Sequence, residues 1–420
     1  MRHLRRSLTT RGAAFAGSGV VLVASGILLG QHDVTRVGIL LLALTVIALV
    51  LVRRHGLHLD VVRTATPSRV AIDERAVVTV RIRNVEPSPS PVVMAEESID
   101  YALGDRPRFV LPSLRSGDVQ EVQYTVRSHT RGVHRIGPLG VRVRDPFGLT
   151  LRTAAVSGDA EVVVLPKVVP LPHGRSLGSG IGSEGSIPHM VALHGEDDQT
   201  VREYRDGDDL RRIHWPATAR TGELMVRQED RPAKRRAVVV LDTRALGHGG
   251  SGRSSSLEWC VTTAASVTAH VVDAGYAVHL LTPDGRADNG VHHDETLPEA
   301  LETLARVSLG PEDGLRTVLH AANALTSQGG LVVYVGGPVG DDDARTLAAL
   351  RQPGSAGAAM VVDPEAFAGR ARKEAPAAGR TDATLATLQA SGWMTTPVDT
   401  RTTPAVAWAA VVGGQVVGAR

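Results

Sequence analysis

Ala237-Val238-Val239-Val240-Leu241-Asp242 is an unbroken apolar run that ends on a carboxylate. β-Branched residues suit a strand, and the lack of alternation suits one covered on both faces. Downstream, Ser256 to Asp273 has a helical pattern that ends at Gly275, and Tyr276–Leu281 and Leu331–Val335 read as further strands. Gly336-Gly337-Pro338 then leads to Asp341-Asp342-Asp343, acids suited to a helix N-terminus, before Leu347 and Leu350. Strand and helix in alternation predict an open, mostly parallel α/β sheet over 236–420. The single cysteine, Cys260, falls on the first helix beside Trp259 and reads as a buried structural thiol; an intramolecular disulfide is impossible.

Towards the N-terminus the character changes. Residues 167–200 are rich in Gly, Ser, Pro and His and read as a linker. Two patterns inside it imitate functional motifs. Gly174-Arg175-Ser176-Leu177-Gly178 has nucleophile-elbow spacing but lacks the buried strand and the helix that present such a serine. Gly178-Ser179-Gly180-Ile181-Gly182 resembles a phosphate cradle, yet no Lys-Ser/Thr pair follows it. Over 57–166 the period falls to two: Val77–Arg83, Glu121–Val126, Val141–Arg144 and Glu161–Val164 read as strands. Turn signals such as Glu86-Pro87-Ser88-Pro89 and Ser116-Gly117-Asp118 separate them, which predicts a β-sandwich.

Residues 1–56 read as a membrane anchor. Gly12–Gly30 and Val37–Val52 contain no charged residue, and with Val34–Arg36 the second stretch also approaches the roughly 20 residues that cross a bilayer core. The spans are placed at about 12–30 and about 34–52, joined by a turn. Arg2, Arg5, Arg6 and Arg11 precede the first, while Arg53, Arg54 and His55 follow the second. Basic flanks stay on the cytoplasmic side. A multi-pass protein of the cell membrane with both termini cytoplasmic, in contact with membrane lipid, is therefore expected. The rival is a cleaved signal peptide before a single anchor, but Ala24-Ser25-Gly26 lies inside the apolar run. Gly26-x-x-x-Gly30 offers a close-packing face for the two helices.

The densest signal lies in 201–232, between linker and sheet: Val201-Arg202-Glu203-Tyr204-Arg205-Asp206-Gly207-Asp208-Asp209-Leu210-Arg211-Arg212-Ile213-His214-Trp215, continuing through Ala219-Arg220 and Gly222-Glu223-Leu224. Acids and arginines are interleaved, so the segment can satisfy itself with ion pairs. Two uses are open. As an internal strap it would rely on Arg202, Tyr204, Gly207, Asp208, Arg211, His214 and Trp215, with Asp208 capping a short helix. As a docking surface it would present Arg205, Arg212 and Arg220 to a partner.

The run Arg-x-Tyr-x-x-Gly-Asp-x-x-Arg-x-Ile-x-Trp resembles the hallmark of the bacterial family defined by domain of unknown function 58. Arg131-Gly132-Val133-His134 and Asp145-Pro146-Phe147-Gly148-Leu149 are similar to a second recurring element of that family. Pro216 departs from it, since members often carry a basic residue after the Trp. The resemblance implies that the last domain is similar to von Willebrand factor A domains, which often hold a divalent cation through Asp-x-Ser-x-Ser after the first strand. Here Asp242-Thr243-Arg244-Ala245-Leu246 stands at that place, and Gly336-Gly337 stands where a later acid would be expected. An arginine repels a metal, so the cation site is expected to be degenerate, with no metal and no cofactor. His292-His293-Asp294-Glu295 lacks helical His spacing and reads as a polar loop.

A chain of 420 residues holds two or three domains, and a net charge of +2 gives no nucleic-acid footprint. The expected architecture is multidomain: a two-helix transmembrane hairpin, a β-sandwich, then a von Willebrand factor A-like open α/β sheet. The expected role is a non-enzymatic, chaperone-like adaptor. The resemblance implies a MoxR-type AAA+ ATPase as its partner and other membrane or envelope proteins as clients. A structural membrane scaffold is the main alternative. A hydrolase is another, but no nucleophile or metal constellation is legible.

Overall fold

The structure, a computed structural model, describes residues 8–54, 58–173, 200–204, 213–228, 235–283, 296–327, 329–368 and 379–413. It divides into two compact units, Met1–Lys167 with Leu301–Val307, and Val168–Ala300 with Ser308–Arg420.

The first unit opens with helices α1 (Thr10–Leu28) and α2 (His32–Arg54). Both are long and apolar enough to cross a membrane. They pack along their length through glycine. A Cβ on Gly19 would lie 3.1 Å from the Gly38 carbonyl, one on Gly38 would lie 2.7 Å from the Val23 nitrogen, and one on Gly26 would meet Thr35. Gly19 and Gly26 are two helical turns apart, which keeps them on one stripe. The close-packing face is therefore Gly19/Gly26 against Gly38. Gly30 lies in the turn at φ 65°, with open space around it, so the expected Gly26-x-x-x-Gly30 face is not the one used.

Nine strands follow: β1 (Leu59–Thr66), β2 (Arg69–Ala71), β3 (Arg75–Asn84), β4 (Val93–Ile99), β5 (Arg108–Leu111), β6 (Val119–Arg127), β7 (Gly132–Arg144), β8 (Leu151–Val156) and β9 (Ala160–Leu165). One sheet has the order β1-β3-β6; the other has β2-β9-β7-β4-β5, with β8 also on β7. Alternation puts Ala76, Val78, Val80 and Ile82 of β3 into one apolar core with Val93 and Ala95 of β4 and Ile136 and Val141 of β7. Two sheets closing over a shared core form the expected β-sandwich. Inside it Arg63 Nε bonds Glu97 Oε1 at 2.9 Å, with both side chains fully buried. Burial raises the Glu97 carboxyl and Arg63 pulls it back only in part.

Both elements resembling the family's second motif have structural work here. Arg131 Nη1 donates to the Leu304 and Val307 carbonyls, each at 2.8 Å, within this unit. His134, buried, lies 3.1 Å from Asp100 Oδ2 and 3.2 Å from the Thr130 carbonyl. Asp145 accepts from Phe147 N at 2.8 Å and from both the nitrogen and the hydroxyl of Thr150. That turn is clamped to α1: Thr9 Oγ1 donates to the Gly148 carbonyl at 2.7 Å, and Thr9 N donates to the Leu149 carbonyl at 2.9 Å.

The second unit contains β10 (Thr200–Glu203), α3 (Trp215–Thr221) and β11 (Met225–Gln228), then a sheet of β12 (Arg236–Leu241), β13 (Ala277–Leu281), β14 (Leu331–Gly336), β15 (Ala356–Val362) and β16 (Met394–Val398). All neighbours in the order β13-β12-β14-β15-β16 are parallel. Helices α4 (Ser256–Asp273) and α10 (Pro404–Gly413) pack against one another and against the sheet. Helices α6 (Gly314–Thr326), α7 (Asp341–Ala349) and α9 (Arg380–Ala390) share a core with β12, β14 and β15. The short α8 (Pro364–Ala368) also belongs here, whereas α5 (Leu297–Arg306) falls mostly in the first unit, which includes Leu301–Val307. Coverage on both faces explains why β14 is buried at every position. The expected linker begins later than 167: Val169 N bonds Ser266 Oγ on α4 at 2.9 Å, and Leu171 is buried. The Gly/Ser patterns of 174–182 and the His292–Glu295 stretch lie outside the described residues.

Candidate functional site

In an open α/β sheet ligands bind beyond the carboxyl ends of the strands, where the strand order reverses. Here that point lies between β12 and β14, and Asp242 follows β12 directly. Its carboxylate is fully buried and fully engaged. Arg244 Nε reaches Oδ1 at 2.9 Å and Nη2 reaches Oδ2 at 2.7 Å, a bidentate pair. The Arg244 backbone N–H adds a bond to Oδ1 at 3.0 Å and Gly337 N one to Oδ2 at 3.3 Å, while the single proton of Tyr334 OH faces both the Gly337 carbonyl at 2.7 Å and Oδ2 at 3.2 Å. Arg244 Nη2 also donates to the Pro338 carbonyl at 3.1 Å.

The glycines are required by space. A Cβ on Gly336 would lie 2.3 Å from Asp242 Cβ, and one on Gly337 2.1 Å from the Gly247 carbonyl oxygen. The position where a later acid was expected therefore admits no side chain. His248 completes the cluster: Nε2 lies 2.8 Å from the Asp242 carbonyl, and Nδ1 lies 3.0 Å from Ser256 Oγ. A carbonyl only accepts, so Nε2 carries the proton, and Nδ1 accepts from the Ser256 hydroxyl. Ser256 Oγ in turn accepts from Gly249 N at 2.9 Å.

Charge is balanced locally. Burial would raise the Asp242 carboxyl, but the hydrogen bonds and charge of Arg244 outweigh it and hold it below the ordinary range. Burial lowers His248 and keeps it neutral, against the pull of Asp242. Burial pushes Tyr334 well up, as it does the Cys260 thiol, which is fully buried as expected of a structural cysteine. A hard cation asks for six or more oxygens. Here the acid is taken by a guanidinium, and no group of three or more His, Cys, Asp or Glu positioned for a metal exists among the described residues. Tyr334 and His248 carry no pattern that would mark them in the sequence. Arg244 was legible as an obstacle to a metal, though not as the partner that takes its place.

The signature segment folds on itself. Strand β10 pairs antiparallel with β11, and Ile213, buried, bridges to Val226. Tyr204 N donates to the Leu224 carbonyl at 2.8 Å. His214 caps α3, its Nδ1 accepting from Ala217 N at 3.0 Å, while the cap expected of Asp208, on a helix carrying Arg211 and Arg212, lies outside the described residues. Pro216 sits in the first turn, where a missing N–H costs nothing. Gly222 closes the helix at φ 80°. Trp215 is 66 % exposed, which is not the setting of a buried strap residue. Arg220 lies exposed in the last turn of α3. Arg205, Gly207, Asp208, Arg211 and Arg212 lie outside the described residues, as does the side chain of Arg202.

Both the signature and the Asp242 centre fall inside one family match. Residues 200–391 match the family model described as "Protein of unknown function DUF58". Uncharacterized proteins of Mycobacterium bovis and Mycobacterium tuberculosis are each 27 % identical over 190 residues, 44 % of this chain and 56 % of theirs. The chain thus spans little more than half the length of these curated relatives. Among solved structures, the CARDB domain of a Pyrococcus furiosus protein in complex with di-metal ions is 18 % identical, covering 26 % of this chain and 89 % of that one, at a TM-score of 0.19. The ApaA protein of Bordetella pertussis is 16 % identical, covering 26 % and 94 %, at a TM-score of 0.21.

Proposed function

We propose that this chain is a membrane-tethered, non-enzymatic adaptor whose second unit is a von Willebrand factor A-like domain with its cation replaced by an internal arginine. The observation that carries the reading is the bidentate Arg244–Asp242 pair at the ligand end of the sheet. A centre whose acid, base and hydroxyl are all engaged with one another offers no free nucleophile, so its work is done by surfaces. The signature segment supplies one. An exposed Trp215 at the start of α3 and an exposed Arg220 in its last turn are residue types that dominate binding energy at protein interfaces. Arg205, Arg212 and Arg220 face a MoxR-type AAA+ ATPase in this reading, and both termini lie on the cytoplasmic side, where ATP is available. Envelope or membrane proteins are the clients.

The test is recovery of the full-length protein from native membranes with and without nucleotide. An AAA+ ATPase should copurify in a nucleotide-dependent way, and added salt should weaken the contact because exposed charge pairs are screened. Replacing Trp215, Arg205, Arg212 and Arg220 by Ala should abolish recovery without lowering the melting temperature. Equal recovery of the ATPase by this variant would exclude the docking surface. Copurification insensitive to nucleotide would leave the scaffold reading in its place.

A further inference from the structure

We propose that the end of the β-sandwich carrying the Asp145–Thr150 turn is a lipid-facing surface, with Phe147 seated among anionic headgroups beside Arg144. The inference rests on the reading that α1 and α2 span a bilayer, and it concerns what the soluble-looking sandwich does there.

Helix α1 has 19 residues. At about 1.5 Å per residue it is about 28 Å long, close to the roughly 30 Å of a hydrocarbon core. If it spans, Thr9 and Gly12 lie at one membrane boundary, and so does whatever they touch. They touch the turn. A Cβ on Gly12 would lie 2.0 Å from the Leu149 carbonyl oxygen, so the turn presses against the helix one residue short of its first full turn. On α2 the turn meets the same level: Thr150 Oγ1 comes 3.5 Å from the Ala48 carbonyl, near the end of the candidate span His32–Val52. The turn is therefore held at the boundary end of the hairpin.

The side chains at this end fit that depth. Phe147 at the turn tip is 52 % exposed, although the turn itself is closed by a buried aspartate. Arg144 beside it is exposed. Met94 lies opposite Arg142, and Val92, just before β4 at this end, is 63 % exposed. Strand β1 begins, and β3 ends, at this same end, where Leu59 pairs with Asn84; the next residue, Val85, is 54 % exposed. Aromatic side chains are favoured at the membrane–water boundary, and arginines near an anionic leaflet are attracted to it. Apolar tips flanked by arginine, on a turn pinned at headgroup depth, match an anionic bilayer surface.

The experiment uses the full chain with Cys260→Ala, reconstituted into vesicles of phosphatidylglycerol and phosphatidylethanolamine. A nitroxide is placed at Phe147→Cys or, independently, at Val92→Cys. The reference is Tyr101→Cys, 95 % exposed and just beyond the opposite end of β4. Collision with oxygen should rise and collision with a water-soluble nickel chelate should fall at 147 and 92 relative to 101. The Arg144→Glu substitution should lessen that protection in these vesicles but not in pure phosphatidylcholine. Carbonate extraction separates the two levels of the argument. If the protein resists extraction while both labels are as open to nickel as Tyr101→Cys, the lipid-facing surface is wrong and the span reading stands. If carbonate strips the protein from the vesicles, both fall.

Discussion

Asp242 and Arg244 are two residues apart, and the turn after β12 folds the arginine back onto both oxygens of the acid. Removing one partner of such a pair leaves a buried charge unanswered, which costs on the order of 3–5 kcal/mol. Arg244→Met should therefore lower the stability of the full-length protein in detergent by that amount, and adding Asp242→Leu should restore part of it. A loss no larger than the roughly 0.5 kcal/mol of an ordinary surface change would contradict the account. His248 adds a pH dependence of defined sign. Its folded-state value lies below the ordinary 6.5, so the native state disfavours the extra proton. The stability it contributes is fully present above pH 6.5 and is lost as pH falls towards the folded value. Asp242, also depressed, contributes stability above its ordinary 3.8 that is lost only in stronger acid. The melting temperature should thus begin to fall below about pH 6.5, and His248→Gln, which keeps a donor for the Asp242 carbonyl, should flatten that limb. Equal slopes in variant and wild type would remove His248 from the explanation.

At the level of elements, the Asp145 turn joins a hairpin and a sandwich that the sequence shows only as neighbours. Three donors converge on a buried carboxylate there, from Phe147 N, Thr150 N and Thr150 Oγ1. Asp145→Ala should cost about 2–3 kcal/mol, since the abandoned donors are buried. Asp118→Ala is the matched control: it also closes a turn, accepting from Arg115 N at 3.0 Å, but in the open. Its loss should stay near 0.5 kcal/mol. Similar melting of the two variants would show that burial is not what makes Asp145 matter. Legibility followed the same physics. The runs with strict alternation or unbroken β-branching, as in β3, β6 and β12, were readable because burial shaped every position. Strand β4 was not, because its inward positions include Glu97, whose burial is made possible only by Arg63 from β1. Strand β15, Ala356–Val362, is rich in Ala and Gly, small residues forced by close neighbours: a Cβ on Gly357 would lie 2.7 Å from Trp393. At the site, the interleaved charges announced a special segment, whereas Tyr334 and His248 converge on Asp242 only through the fold.

For the molecule as a whole, the decisive quantity is which side of a membrane the two units occupy. Two helices suited to crossing, Thr10–Leu28 and His32–Val52, are joined by a short turn, so the chain would leave the bilayer on the side where it entered. The sandwich turn grips the outer ends of both helices, at Thr9 and at Ala48, which places unit one on that same side. The start of α2 beside the connecting turn holds Asp33 and Arg36, paired with each other at 3.0 Å, while the other flank carries Arg5, Arg6, Arg11, Arg53 and Arg54. The excess of basic residues in the sequence therefore lies on the side of the domains, and because basic flanks stay cytoplasmic the proposed reading puts the domains in the cytoplasm. A reporter active only outside the cytoplasm should be silent when fused after Pro172 or at Arg420, and active when inserted between Gln31 and Thr35. Reversing the asymmetry is the sharper experiment. Replacing Arg5, Arg6 and Arg11 with Gln while adding lysines between Gln31 and Thr35 should shift a fraction of the chains to the opposite orientation, with reporter activity appearing at Arg420. Activity at Arg420 in the unaltered protein would overturn the cytoplasmic placement and, with it, the access to ATP-driven partners that the adaptor role requires.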